Sequence, residues 1–441
     1  MHFFGAKNEN YVFFPDSLRF FEINQSTEAI LKDIELNKLS SQEICKKHQI
    51  SENELTSVYN LLNHSEEIAV KKAEINDRVL NRLVLHISNV CNLSCRYCYA
   101  GGGSYSSDEI FMSEEIIQKT LSLFFSHFEK INAIQLFGGE PLLNAEAIKQ
   151  VGQFVFNIEK EKRPQITVVT NGSVLSEEIL GLIKEFDINV TVSLDGPEVI
   201  NDKLRVFKDG TGTSETVEEN IKSIAENTEK QVMIECTYTK LHEQHGIYFY
   251  DLAEYFNKSF KSKNIHIVPV INQDDNLSIT DYSNIISSAE KIFQNITSGN
   301  PLPTLLTKVL NGLGNKHAVP LFCDAGLGTL AVSAEGNVYP CFMFNDIPGF
   351  LMGNVNNPLL FDENRFLSHR KKYSSFDKFS AGPCQNCFAN TLCTGCLGQN
   401  YFETEDIYKP SAKKCELEKL VIELVISELI KLQKKSQSIN D

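Results

Sequence analysis

No stretch of this chain approaches the roughly 18 uninterrupted apolar residues that a membrane-spanning helix needs. Nor is there an excess of basic residues: 42 Lys and Arg stand against 57 Asp and Glu, a formal charge of −15 at pH 7. That balance argues against a nucleic-acid-binding surface and leaves room for a basic partner. The start, Met1-His-Phe-Phe-Gly-Ala-Lys-Asn, lacks the basic-then-apolar pattern of a secretory signal, so a cytoplasmic location is expected. In such a reducing compartment disulfides are scarce, and the cysteines need another explanation.

What is present is typical of a soluble globular protein, 42% apolar and 22% charged. With 441 residues the chain exceeds one ordinary core, and two to four domains are expected. Of its 12 cysteines, ten fall near positions 91–98 and 323–415. Cys45 and Cys236 stand alone and read as small buried apolar residues. The loop Cys91-Asn-Leu-Ser-Cys95-Arg-Tyr-Cys98 follows the apolar run 83–87 and puts three thiolates on one tight turn. Thiolate sulfur selects iron–sulfur clusters, zinc or Cu(I). A 4Fe–4S cube takes four ligands, so three cysteines would leave one iron open. On spacing alone, a three-sulfur zinc site or unrelated core cysteines stand as the alternatives.

Residues 10–64 read as a small module. Two short strands within 10–23 turn at Pro15-Asp16-Ser17. Three helices follow, with Ser26 as the expected cap of the first, Ser41 at the start of the second, and a Ser51/Glu54 capping box on the third. A hairpin with helix-turn-helix-like helices is a winged-helix plan. Its third helix begins Ser51-Glu-Asn-Glu-Leu, too acidic for a DNA-reading helix, so capture of an extended peptide at the hairpin edge is the competing use. Residues 65–80 are charged (Glu66, Glu67, Lys71, Lys72) and read as a solvated linker helix.

From residue 83 the rhythm becomes strand then helix. Strands are expected at 83–88, 133–137, 166–170, 189–194, 232–237 and 265–270, with helices near 113–129, 144–160, 176–186, 214–228, 247–257 and 280–296. Six β/α units imply an α/β fold with a parallel sheet, open or curled into a partial barrel, with ligands at the carboxyl ends of the strands. The three-cysteine loop lies at the first such end. Later ends carry Gly138-Gly139-Glu140, Thr170-Asn171-Gly172 and Ser193-Leu-Asp195-Gly196, with Arg205 beyond. Glycines permit close backbone approach, and a carboxylate can receive an ammonium. Together these loops describe a small-molecule cleft carrying both charge signs.

Residues 83 to about 300 resemble a radical S-adenosylmethionine (SAM) enzyme, on the C-x3-C-x2-C loop followed by Gly-Gly-Glu. The resemblance implies a partial (β/α)6 TIM-like barrel in which Cys91, Cys95 and Cys98 hold a 4Fe–4S cluster whose open iron chelates SAM. It also implies that Gly138, Gly139 and Glu140 meet the SAM amino group. Ser193 and Asp195 would face the ribose, Tyr97 would pack near the adenine, and Arg205 would pair with the carboxylate. Residues 297–322 read as a loop-rich bridge. Beyond them Cys323 and Cys341 flank a hairpin turning at Glu335-Gly336-Asn337, followed by Cys384-x2-Cys387-x5-Cys393-x2-Cys396 and Cys415. This resembles the SPASM extension of peptide-modifying radical enzymes, which implies two auxiliary 4Fe–4S clusters and three in all. Cys384, Cys387, Cys393 and Cys415 would enclose the distal one; Cys323, Cys341 and Cys396 would hold the nearer one, a ligand short. The x2 between Cys393 and Cys396 departs from the family's x3. The aspartate that formylglycine-forming members carry just after the Cys341 position is also missing.

Residues 10–64 resemble the leader-peptide recognition domain of enzymes that modify ribosomally made peptides, and Cys98-Tyr-Ala-Gly-Gly-Gly103-Ser-Tyr resembles the loop of thioether-forming maturases. The expected domains are 1–66 (winged-helix recognition module), 67–82 (linker), 83–300 (radical SAM core), 301–322 (bridge), 323–416 (SPASM) and 417–441 (amphipathic helix). The implied partners are a ribosomally made precursor peptide and a reductant such as flavodoxin or ferredoxin, with no nucleic acid and no membrane. The implied reaction is Cys-to-carbon thioether formation. Carbon–carbon crosslinking is the alternative within the class, and an iron–sulfur redox or DNA-binding regulator the alternative outside it.

Overall fold

The computed structural model describes residues 1–6, 9–63, 76–105, 108–270, 276–296, 299, 301–316, 318, 320–380 and 382–440. The charged stretch expected as a linker helix falls largely outside them. The chain opens on an antiparallel sheet, β1 (His2–Ala6), β2 (Glu9–Phe14) and β3 (Arg19–Ile23), one strand more than the pattern at 10–23 predicts. Helices α1 (Gln25–Leu36), α2 (Ser41–His48) and α3 (Glu52–Asn63) follow. Asn24, not Ser26, caps α1, its side chain accepting from the Thr27 amide at 2.8 Å. The box on α3 forms as expected, with the Ser51 amide on Glu54 Oε2 at 2.8 Å and the Glu54 amide on Ser51 Oγ at 3.2 Å.

A two-residue strand β4 (Val79–Leu80) leads into β5 (Arg82–Ser88). Then come α4 (Glu114–His127), the short β6 (Lys130–Ile131) paired to β4, β7 (Ala133–Gly138), α5 (Ala145–Phe156), β8 (Gln165–Thr170), α6 (Glu177–Glu185) and β9 (Asn189–Ser193). The small helix α7 (Glu198–Leu204), α8 (Ser214–Thr228), β10 (Met233–Tyr238), α9 (Lys240–Gln244), α10 (Phe249–Phe260), β11 (Ile265–Pro269) and α11 (Ser283–Gln294) complete the repeat. Strands β5, β7, β8, β9, β10 and β11 are mutually parallel and adjacent in that order, so the α/β partial barrel is as expected. Their interiors are sealed by runs such as Leu83–Ile87, where the apolar residues are fully buried.

The supposed loop-rich bridge contains a three-turn helix, α12 (Thr304–Asn315), with Leu306, Val309 and Leu313 buried. Pro303 stands at its N-cap, so the prolines that read as loop instead begin a helix. The hairpin β12 (Thr329–Val332) and β13 (Asn337–Tyr339), with β14 (Gly353–Asn354), is not a separate lobe. β12 pairs in parallel with β5, and the nine-stranded sheet runs on through it. After α13 (Asn364–Ser374) and α14 (Leu397–Thr404), the 29-residue α15 (Ala412–Asn440) closes the chain. It buries Ile422 and Ile426 as well as the expected Leu417, Val421, Val425 and Ile430. The widened apolar face reflects its second neighbour, because α15 also packs on β3, with His2 on Glu423 at 2.8 Å and Lys434 paired to Glu22.

Candidate active site

The loop of Cys91, Cys95 and Cys98 leaves the end of β5 and is clamped from the far side by the segment after α7. The Ser94 amide donates to Val206 O at 2.8 Å and the Arg96 amide to Leu204 O at 2.9 Å. The end of β7 presses against it: the Gly139 amide donates to Ser88 O at 2.7 Å and the Glu140 amide to Val90 O at 2.8 Å. Only glycine fits there. A Cβ on Gly138, whose φ is +134°, would stand 2.0 Å from Ser88 O, and one on Gly139 2.5 Å from Val90 O. Gly103 (φ +99°) closes the loop over Gly139. Burial pushes the Cys91 thiol up to about 11 and raises Cys95 as well, against the opposing pull of Arg205.

Glu140 is fully buried; Oε1 accepts from Thr170 Oγ1 (2.7 Å) and the Leu142 amide (2.9 Å), and Oε2 from the Asn171 amide (2.7 Å). Burial raises its pKa while those three donors oppose the shift. With both oxygens engaged, Glu140 braces the loop from behind, and the backbone of Gly138 and Gly139 is what faces the cleft. Asp195 is likewise fully buried, accepting from Tyr97 Oη at 2.6 Å and the Thr237 amide at 2.9 Å. Tyr97 in turn accepts from Arg205 at 2.7 Å, so its hydroxyl is a bridge between cation and carboxylate. Asp195 therefore orients Tyr97 and Arg205 rather than standing open toward a sugar. Ser193, half-buried at the end of β9, pairs in register with Glu235, whose pKa burial raises.

Three residues escaped the sequence reading as site members. Asn171 lies within the quoted Thr-Asn-Gly turn, and its Nδ2 reaches Cys91 Sγ at 3.8 Å and Asn92 Oδ1 at 2.9 Å. His242 donates from Nε2 to Asp195 O at 2.7 Å, with Nδ1 accepting from the Thr239 amide at 3.1 Å; nothing in its local pattern marks it. His86, on β5, is fully buried with neither ring nitrogen hydrogen-bonded.

An aromatic arc lines the barrel from the residue after Cys98 to the residue after Cys341. Ring centroids of Tyr99 and Tyr105 lie 6.0 Å apart, Tyr105 and His86 5.1 Å, His86 and Phe137 5.5 Å, and Phe137 and Phe342 4.8 Å. At its end Cys323, Cys341 and Cys396 lie within one another's electrostatic reach, and burial pushes Cys323 up to about 11 and Cys341 higher still. Cys396 touches Met343, sulfur to sulfur, at 3.6 Å. Cys384, Cys387, Cys393 and Cys415 line one cavity with Lys378, Lys414, Lys419 and Glu418. Cys236 is buried, whereas Cys45 is half-buried at the edge of the N-terminal helical core.

At the first site the donor set, the three soft thiolates of Cys91, Cys95 and Cys98, fits an iron–sulfur cluster. A cube spreads its thiolates, one to each iron. Arg205 supplies a second sign of fit at the first site, because its Nε is buried without a hydrogen-bond partner, a donor left for an anionic ligand.

Residues 85–240 match the family model described as the Radical SAM superfamily, so this part of the chain carries a radical SAM domain. More particularly, similarity extends beyond the domain. The radical SAM cyclopropyl synthase TigE of Paramaledivibacter caminithermalis is 26% identical over 82% of this chain and 77% of its own length. An uncharacterized protein of Methanocaldococcus jannaschii is 35% identical, over 30% of this chain and 44% of that protein, so the chain spans under half of that relative. Among solved structures, native anSMEcpe with bound AdoMet and Cp18Cys peptide has a TM-score of 0.65 at 20% identity, covering 81% of this chain and 99% of its own. Streptococcus suis SuiB bound to precursor peptide SuiA has a TM-score of 0.55 at 15% identity, covering 93% and 97%. At these identities the structural likeness concerns the fold. No helix among the described residues is long and apolar enough to cross a membrane.

Proposed function

We propose that the protein is a peptide maturase that cleaves SAM reductively and crosslinks a ribosomally made precursor, joining a cysteine sulfur to a carbon. The observation that supports the reading is the run of ring contacts from Tyr99, beside Cys98, through Tyr105, His86 and Phe137 to Phe342, beside Cys341. Bound at Cys91, Cys95 and Cys98, a 4Fe–4S cluster would supply the electron that splits the SAM sulfonium and leaves a 5′-deoxyadenosyl radical to take hydrogen from the substrate.

The chain's own residues do the positioning. The Gly138-Gly139 backbone offers a close approach for the SAM amino group, and Arg205 offers Nε to its carboxylate. Tyr97, held by Asp195 and Arg205, walls the adenine side, and Ser193 stands at the ribose side. The aromatic arc keeps water from the radical path. Cys323, Cys341 and Cys396 would hold the nearer auxiliary cluster with one position left for a substrate sulfur. Cys384, Cys387, Cys393 and Cys415 would hold the distal one, receiving electrons from a flavodoxin or ferredoxin. Residues 1–66 would bind the leader at the edge of their sheet. Two fold neighbours are solved with bound peptides, which supports a peptide substrate.

TigE, named a cyclopropyl synthase, favours the second reading, in which the new bond is carbon to carbon. One experiment separates the two. The enzyme is co-expressed without air beside a cysteine-rich precursor, and the peptide is analysed by mass spectrometry before and after thiol alkylation. A thioether removes two hydrogens per link and one alkylation site with each. Two hydrogens lost with every thiol still alkylated gives the carbon–carbon reading. No 5′-deoxyadenosine from the reduced, cluster-loaded enzyme overturns both.

A further inference from the structure

Strands β9, β10 and β11 alternate cleanly. Val190, Val192, Ile234, Cys236, Ile265 and Ile267 are buried in the main core, and the residues between them face the other way, into the barrel. On that inner face the pairing register sets Ser193, Glu235 and His266 side by side in one row, all three half-buried. Among the described inner-face residues of the six parallel strands, Glu235 is the one carboxylate. It is also unspent. Glu140 and Asp195 are held by internal donors, whereas Glu235 has no hydrogen bond or ion pair among the described residues. The row has a direction. The Thr237 amide, two residues beyond Glu235, donates to Asp195, so Glu235 lies one side-chain step deeper in the barrel than the Tyr97, Asp195 and Arg205 group. On the other side His266 is within electrostatic reach of Lys308, which in turn reaches Cys396 and lines one cavity with Cys323. Glu235 thus stands between the groups assigned to SAM and the cysteines assigned to the substrate sulfur. Burial raises its pKa, with Arg205 opposing the rise and Asp195 adding to it, and a carboxylate so placed accepts a proton more readily than a solvated one.

We propose that Glu235 is the base that takes up the proton leaving the substrate as its crosslink forms. This rests on the peptide-maturase reading and holds for either bond. A link that removes two hydrogens gives up one as an atom, to the 5′-deoxyadenosyl radical. The other leaves as a proton, with one electron left over. The proton goes to the Glu235 carboxylate, and the electron to a one-electron acceptor, an oxidised iron–sulfur cluster of the nearer cysteine set.

The test uses the cluster-loaded full chain, kept from air, and a synthetic cysteine-containing precursor peptide. Iron and sulfide are measured for every variant and peptide affinity by calorimetry, so assembly and binding are read apart from chemistry. Glu235→Gln preserves size and is expected to bind peptide within about threefold of wild type. At saturating peptide it should raise the ratio of 5′-deoxyadenosine released to peptide crosslinked by about 100-fold, and Glu235→Asp should recover about tenfold of that. Wild-type crosslinking should slow on acidification as the carboxylate protonates. That acid limb should vanish in Glu235→Gln, in which Arg205, Asp195 and His266, the ionisable groups facing position 235, are all retained. Infrared difference spectra across the same pH range should show a titrating carboxyl band that Glu235→Gln lacks. An unchanged ratio with the acid limb intact, or the same carboxyl bands in both proteins, overturns the inference and leaves the maturase reading standing. Loss of peptide binding, or a defect that disappears at saturating peptide, overturns it too, because Glu235 is then a binding group alone. Wild-type enzyme that releases no 5′-deoxyadenosine overturns both.

Discussion

The first cysteine set and the distal one are built on opposite plans. Cys91, Cys95 and Cys98 sit on a strand end where neighbouring loops lock by backbone hydrogen bonds and glycine contacts, and the carboxylates of Glu140 and Asp195 are held by internal donors. Cys384, Cys387, Cys393 and Cys415 sit on loops and a helix turn among three lysines, with Lys378 donating to Cys393 O at 3.0 Å. One site is defined by shape and the other by charge. Shape is what a reaction needs when a small molecule must be held in one pose. Charge is what an all-thiolate cluster needs, because its four sulfurs bring more negative charge than its irons offset.

The comparison breaks most visibly at the first site. Cys95→Ala should abolish 5′-deoxyadenosine formation by at least about 10³-fold and lower the iron content by one cluster. Gly138→Ala should act through shape alone: the added Cβ meets Ser88 O, and a loss of roughly 3 kcal/mol or more is expected in denaturant unfolding, together with loss of that same cluster. Cys341→Ala is the sharper test. On the proposed role of the nearer set at the substrate, crosslinked product should fall at least about 100-fold while 5′-deoxyadenosine formation stays within about tenfold.

His86 tests the wall between the sites. Burial holds its pKa down to about 3, against 6.5 when free. Between those values the unfolded chain binds a proton that the folded one refuses, so stability falls as pH drops through 6.5. His86→Phe should flatten that acid limb by about 1.4 kcal/mol per pH unit in equilibrium unfolding. At the distal site Lys378→Met should move the midpoint potential of that cluster negative by on the order of tens of millivolts, read by potentiometric titration. The first site's potential should stay put.

Much of this architecture is legible in the residues because the signals are local. The six parallel strands lie within a residue or two of the alternation that predicts them, since each is an apolar run, and β7, β8 and β9 end in Gly-bearing turns. The cysteines are grouped along the chain itself, ten of the 12 lying near positions 91–98 and 323–415. What is not legible depends on partners distant in sequence. Glu140 and Asp195 look like free acceptors until Thr170, Asn171, Tyr97 and Thr237 are seen to occupy them. The helix Thr304–Asn315 hides behind two prolines and two glycines whose helical setting comes from burial of Leu306, Val309 and Leu313. His86 carries no motif at all; only the register of β5 beside β7 brings it to Phe137.

The long terminal helix has a mechanical meaning. Its 29 residues span about 43 Å as a rigid rod. Cys415 sits in its first turn, and Glu423 and Lys434 hold the N-terminal sheet further along. His2 stacks on Phe388, the residue after Cys387, at 3.4 Å between rings, so sheet and cysteine loop are tied at a second point. A twist at the cysteine end is levered directly to the hairpin, and the first strands of the chain ride on the same beam as its last cysteine.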